Sequence, residues 1–428
     1  MTARVLLAIS DRSVESSVIR VLADSNGAAA LSRRCVDLTD VLAAAAAGAG
    51  DVLVVSSSLR RLDRDAVEQL AACDIPVVVV REHPRQDGSS DELLPDPRLS
   101  WGVRAVVDPD PQQVIRAVVV SPVATSAPSA PAVASTPVGT LIAVLGPTGA
   151  PGRTTVAVTV ADELARAGHD TVLVDADTYG ASVAQVLGLL DDTSGLASLT
   201  RLAATGRLDE QTCARAMVML PSGLRVLTGI ARPDRWVELR AASLQAVLSA
   251  VVAHPAFVVL DCGFGLGAGS IGGWPTEIGP PERDDACLAA LSMADIVLAV
   301  GSADPVGLVR LSRDLPTVAE IAPTAQLQVV VTKCRPGAVG GNPQRSVPTV
   351  LAPRLVELSE RFGPRVSQEI VLVPDDRSAL DTALLSGRTL AETSSGSPAR
   401  RALRELVETL APTPPVQSRR SRRLRRAG

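Results

Sequence analysis

Gly146-Pro147-Thr148-Gly149-Ala150-Pro151-Gly152-Arg153-Thr154-Thr155 decides the fold, because it joins an apolar run at residues 141–145 to a helical pattern at 154–167. A Gly-rich turn in that position gathers backbone N–H groups, adds them to a helix N-terminus, and makes a concave site for phosphate anions. Val156, Val160 and Leu164 recur every four residues, so the helix carries one apolar stripe, and Gly168 closes it. A second apolar run at 171–174 completes a βαβ unit.

Two acidic strand ends strengthen the reading. Asp175-Ala176-Asp177 follows the second run, and Asp261 ends a later one at 257–260. Open α/β sheets bind ligands at the carboxyl ends of their strands, which is where these carboxylates fall. There Thr154 can reach Mg2+ directly, Asp261 can hold its water shell, and Asp177 can orient an attacking water. The competing reading is an ordinary tight βα loop. The strict pattern G-x-x-x-x-G-K-[ST] fails twice, its first Gly falling on Pro147 and its Lys on Arg153.

Working outward, buried-strand runs recur at 224–227, 257–260, 296–300, 328–331 and 370–373, with helical stretches such as 239–252 between them. Residues 139–412 therefore read as one doubly wound α/β domain, with flexible Gly/Pro-rich insertions at 263–281 and 336–348. Upstream, residues 1–120 alternate short apolar runs at 5–9, 51–55, 77–80 and 105–107 with helix-like stretches at 14–23, 66–72 and 111–119, a second small α/β unit. Residues 121–138 hold Pro, Ser, Ala and Thr with almost nothing to bury, and are expected to be a flexible tether that lets the two domains act separately. Residues 413–428 lack apolar periodicity and are expected to be disordered.

The 140–410 region resembles the MinD/ParA group of deviant-Walker P-loop ATPases, whose turn is K-G-G-x-G-K-T-T and whose second strand ends in D-x-D. The resemblance continues in family order through LRVLTGIARPDRWVEL (224–239), FVVLDCG (257–263), ADIVLAVGSADPVGLVRLSRD (294–314), VVVTKC (329–334) and VPDDRSALDTALLSGRTL (373–390). It implies ATP as ligand, held by Thr148, Gly149, Ala150, Pro151, Gly152, Arg153, Thr154 and Thr155, with Thr332 and Pro374 beside the base. It also implies Mg2+ at Thr154, Asp175 and Asp261, catalysis by Asp177 and Arg153, and a nucleotide-dependent homodimer. The family's signature lysine, which crosses the dimer interface, falls on Thr148, and its Walker lysine on Arg153. Arg is a planar fork where Lys is a compact point charge, so the expectation is a slow Mg-dependent ATPase.

Residues 1–120 resemble a degenerate receiver domain of the flavodoxin-like class. Ser56 stands where the phosphoacceptor aspartate belongs, and Asp108-Pro109 where the receiver has Lys-Pro. That implies a docking role without phosphoryl signalling. A degenerate receiver joined to a MinD-like ATPase resembles the CpaE/TadZ-like proteins of Flp/Tad pilus assembly. The resemblance implies pilus-assembly, secretion or septal partners, and a cytoplasmic protein peripheral at the pole, the septum or the inner membrane face. The alternatives are a nucleotide-bound scaffold without turnover and a chromosome or plasmid partition ATPase.

Composition narrows the remaining classes. The 428 residues exceed by almost threefold the about 150 residues of a single domain. Only 2% are aromatic, which argues against stacking platforms for single-stranded nucleic acid. Net charge is -4, yet the last ten residues hold six Arg, so the chain before them carries -10. An acidic body argues against a basic nucleic-acid face; the Arg tail is either a solvated charge run or an electrostatic contact for anionic membrane or nucleic acid. Six Cys lie 25 or more residues apart and three His are scattered, a pattern of reduced thiols without a metal cluster. The apolar run before Asp11 and Arg12 is too short for a signal-peptide core. Lys333 is the only lysine, and Tyr179 the only tyrosine, which excludes tyrosine-cluster kinases.

Overall fold

In the computed structural model the described residues are 2–25, 27–81, 96–119, 139–149, 152–189, 194–266, 282–337 and 339–411. Ala150, Pro151, the tether at 121–138 and the tail at 413–428 lie outside them.

The N-terminal runs become β1 (Ala3–Ala8), α1 (Arg12–Ala23), β2 (Ala29–Arg34), α2 (Leu38–Ala46), β3 (Val52–Ser56), α3 (Arg64–Ala72), β4 (Val77–Val80), β5 (Ala105–Val107) and α4 (Pro111–Val119). Asp11, Asp37 and Asp63 start α1, α2 and α3 by accepting first-turn N–H groups. The strands form one parallel sheet in the order β2-β1-β3-β4-β5, which is the flavodoxin-like order. β3 and β4 are fully buried Val/Leu runs, as expected for strands covered on both faces.

The second domain contains β6 (Thr140–Leu145), α5 (Arg153–Arg166), β7 (Thr171–Asp175), α6 (Val183–Val186), α7 (Gly195–Ala204), α8 (Glu210–Ala216), β8 (Val218–Met219), β9 (Arg225–Leu227), α9 (Ala241–Val252) and β10 (Phe257–Asp261). It continues with α10 (Asp285–Ser292), β11 (Ile296–Ser302), α11 (Pro305–Ile321), β12 (Gln326–Cys334), α12 (Pro343–Phe362), β13 (Val366–Pro374), α13 (Arg377–Ser386), α14 (Leu390–Thr393) and α15 (Pro398–Leu410). All seven strands read from the sequence form. The sheet order is β13-β12-β11-β6-β10-β7-β9-β8, parallel throughout except at β8. One sheet face is covered by a core that includes Leu199, Leu244, Leu291, Leu311 and Leu351, the other by α5 and α15 through Val160, Leu164, Leu403 and Leu406.

Two expectations need correction. The insertion at 336–348 is shorter than expected, because α12 already starts at Pro343, where proline at the first helical position has its φ preset and no N–H to lose. The domains are not joined by the tether alone. Asp65 of α3 is 6% exposed, and its carboxylate accepts the Ala242 N–H at 3.1 Å and the Ser243 hydroxyl at 2.8 Å. Arg240 adds an ion pair with Asp63 at 3.8 Å. The first turn of α9, which no side chain of Arg240 caps, is thus capped from the other domain.

Candidate functional site

The site is built at the carboxyl ends of β6, β10 and β7. β10 lies between the other two, and its register places Asp261 beside Val144 on one side and Asp175 on the other. The two strand-end carboxylates are therefore neighbours for a purely topological reason. The turn after β6 leads into α5, whose N-cap Gly152 has φ +106° and no capping side chain, and whose first turn holds no acid. Its N–H groups are left for an anion. A Cβ at Gly152 would meet Thr332 at 3.1 Å, so the loop also packs directly on β12.

Asp175 is buried, and its carboxylate accepts the N–H groups of Asp177 at 3.2 Å and Val183 at 3.0 Å. Burial pushes its carboxyl up to about 7, and the Asp177 charge adds to the rise. Asp177 turns its carboxylate to the Tyr179 and Gly180 N–H groups at 2.7 and 3.0 Å. Asp261 is 1% exposed, and neither of its carboxylate oxygens has a hydrogen-bond partner. Burial first, and the Asp175 charge second, push its carboxyl well above the usual carboxylate range. Thr154 lies close enough to favour the charged form, but its hydroxyl is 3.3 Å from the Ser182 hydroxyl and meets neither Asp261 oxygen in hydrogen-bonding geometry.

An orphaned, buried carboxylate beside a helix-start hydroxyl fits a hard cation better than it fits an apolar core. Among the described residues no group of three or more His, Cys, Asp or Glu is arranged to hold a metal ion by itself. The oxygen donors of Thr154, Asp175 and Asp261 are of the kind that Mg2+ takes, an ion that keeps several waters and draws its other ligands from substrate phosphates. Thr154, Asp175 and Asp261 are the residues that would hold it.

The structure also places the remaining expected residues. Arg153 donates to the carbonyls of Gly146 at 3.5 Å and Pro147 at 3.2 Å, and lies 5.6 Å from the Phe264 ring centroid. Thr148 offers its carbonyl to Arg310. Thr155 is half-buried in the first turn of α5. Thr332 sits against Gly152 with its hydroxyl donating to the Gly301 carbonyl at 3.0 Å. Pro374 ends β13 in register with Cys334 of β12, two residues from Thr332. Thr332 is thus brought to the Gly-rich loop itself, and Pro374 to the neighbouring strand end.

Sequence reading missed the clasp around the Asp175–Asp177 turn. Tyr179 donates its hydroxyl to Asp284 at 2.7 Å, lies 4.4 Å from Phe264, and carries the Arg283 guanidinium 4.2 Å above its ring. Burial and the Asp284 carboxylate push its phenol up to about 12. Arg283 returns two donors to the Thr178 carbonyl at 3.1 and 2.8 Å and one to that of Pro233. Gly229 was missed too. A Cβ there would fall 2.7 Å from the Asp175 carboxyl carbon, and a glycine inside LTGIARP is the only sequence trace of that close approach. His169 packs edge-on against Phe257, and Cys262 is fully buried.

Residues 137–206, which carry the turn, α5 and both Asp175 and Asp177, match the ParA family model, described as NUBPL iron-transfer P-loop NTPase. No curated protein matches the chain. Among solved structures, the chain is similar to a ParA family ATPase from Chlorobium tepidum (14% identity, TM-score 0.48, covering 64% of this chain and 98% of that one). It is similar also to the septum site-determining protein MinD of Pyrococcus horikoshii complexed with Mg-ADP (16%, 0.48, 64% and 96%). A third is the cell division ATPase MinD of Pyrococcus furiosus (20%, 0.48, 64% and 98%). Among the described residues no helix is long and apolar enough to cross a membrane.

Proposed function

We propose that this protein binds Mg-ATP at the loop of residues 146–155 and hydrolyses it slowly, using the nucleotide state as a positioning switch. The observation that carries the reading is Asp261, a fully buried carboxylate without a partner, in register with Asp175 and next to the uncapped start of α5. Such a buried, unpartnered carboxylate is costly by itself, and a bound cation removes that cost.

In this reading the loop N–H groups and Arg153 bind phosphate oxygens, and Thr154, Asp175 and Asp261 hold Mg2+, which neutralises charge developing on the phosphates. Asp177 orients the attacking water. Asp177 and Asp175 are tied through 282–285 to the rest of the domain by Arg283, Asp284 and Tyr179, so ordering by nucleotide can reach the domain surface. Arg153 supports slow turnover: its guanidinium is already engaged with two loop carbonyls and Phe264, and leaving them costs part of what a phosphate contact returns.

The cellular role we propose is that of a CpaE/TadZ-like positioning protein for pilus assembly or septal placement, acting as a nucleotide-dependent homodimer. The N-terminal domain serves as its docking module. Support comes from Ser56, buried at the end of β3 and accepting the Ser10 N–H at 3.0 Å, a bond that occupies the position where a receiver would accept phosphate. Calorimetry of the full chain with Mg-ATP and Mg-ADP tests the nucleotide reading; no heat at high protein concentration would overturn it. Imaging the fluorescently tagged chain in its own host tests the role, and a diffuse signal in wild-type cells would overturn that part alone.

A further inference from the structure

We propose that Arg310 is the phosphate loop's second side-chain cation, binding the nucleotide phosphates from α11. The inference rests on the reading that residues 146–155 take Mg-nucleotide.

Asp304 starts α11 by accepting the Val306 and Gly307 N–H groups at 3.0 and 2.9 Å, and fixes the helix beside the loop because β11 neighbours β6 in the sheet. One turn later Arg310 reaches across and donates Nη1 to the Thr148 carbonyl at 2.8 Å. The same nitrogen lies 3.0 Å from where a Cβ on Gly149 would be, so the guanidinium rests on two successive loop residues. A side chain at position 149 would push it away.

Arg310 is exposed; its charge also acts on the Asp304 carboxylate at the start of α11, with which it makes no ion pair within 4.0 Å. A guanidinium has five N–H donors in a planar fork, and the Thr148 contact uses one. The other donors remain at the rim of a cradle whose ligand is strongly anionic. Arg153 is the only charged residue within 146–155, and it faces inward to Gly146, Pro147 and Phe264. A magnesium triphosphate carries about two net negative charges, so a single inward cation leaves the outer rim uncompensated. Arg310 supplies that compensation and, through Thr148, holds the loop's outer strand against α11.

The test uses the full chain and three probes, Mg-ATP, Mg-ADP and AMP, titrated into wild type, Arg310→Gln and Arg310→Lys. We expect Arg310→Gln to weaken Mg-ATP about tenfold, Mg-ADP less, and AMP not at all, since the loss scales with phosphate charge. Arg310→Lys should recover part of the Mg-ATP affinity, and raising the salt concentration should narrow the gap between wild type and Arg310→Gln. Equal losses for all three nucleotides together with a lowered melting temperature would mean that Arg310 only props the loop through Thr148, and would overturn the proposal. Unchanged Mg-ATP affinity in Arg310→Gln would overturn it as well. A wild-type chain that binds no nucleotide would instead overturn the reading on which it rests.

Discussion

Asp65 accepts the hydroxyl of Ser243 at 2.8 Å across the boundary between two domains, 178 positions apart in the chain. With the Ala242 N–H on its other oxygen, this carboxylate does for α9 what an N-cap residue does for its own helix. The bond is buried, so its loss leaves both a helix start and a carboxyl partner unsatisfied. Asp65→Ala should therefore cost about 1–2 kcal/mol and separate the N-terminal domain from the second domain. Small-angle scattering would read the separation as a larger radius of gyration, and differential scanning calorimetry would show one transition becoming two. A variant with wild-type dimensions and melting would show that the cap contributes nothing to docking.

Asp177 and Asp261 should separate by role. Asp177 sits on the Tyr179–Gly180 turn with its carboxylate held by backbone donors, whereas Asp261 has no partner to lose. Asp177→Asn is expected to lower turnover by at least about tenfold with Mg-ATP affinity nearly unchanged, as for a group that acts in the transition state. Asp261→Asn should raise the Mg2+ concentration required for binding by a similar factor. Equal losses of affinity in both variants would sink this division.

The buried Asp175 is expected to make Mg-ATP affinity depend on pH. Its carboxyl is raised to about 7 in the folded chain, against about 4 when unfolded, so between those values the folded state holds the extra proton. That contribution to stability is present at low pH and lost as pH rises through about 7. Mg2+ requires the ionised form, so Mg-ATP affinity should rise from pH 6 to pH 8 with release of a proton. Calorimetry in buffers of different ionisation enthalpy would detect the proton, and Asp175→Asn should flatten the profile. A pH-independent affinity in wild type would remove Asp175 from the metal site.

Arg153→Lys, alone or with Thr148→Lys, is expected to raise the steady-state ATPase rate. In the wild type one guanidinium nitrogen, Nη1, is held by the Gly146 and Pro147 carbonyls and the group lies near Phe264; a shorter-headed, compact ammonium on a flexible stem gives phosphate a point charge instead. A rate assay under saturating Mg-ATP, on variants whose melting matches wild type, decides the matter. Unchanged or lower rates would mean that the loop has been rebuilt around arginine.

Both α/β domains and the Gly-rich turn between β6 and α5 were legible in the chain because each rests on a local signal. Runs such as Val52–Ser56 and Phe257–Asp261 are short, apolar and continuous, and the four-residue spacing of Val156, Val160 and Leu164 marks a helix without reference to anything distant. Asp175, Asp177 and Asp261 were legible as a group because parallel strands bring their carboxyl ends to one edge. Tertiary structure alone decided what those residues meet. Tyr179 finds Asp284 across 105 positions, Arg310 finds Thr148 across 162, and Asp65 finds Ala242 across 177. Each of these contacts depends on which strand neighbours which and on how two helical layers pack, so no pattern within a few residues of either partner encodes it. The state of Asp261 follows the same logic: a strand-end aspartate is visible in sequence, but its burial without a hydrogen-bond partner is a property of the packed site.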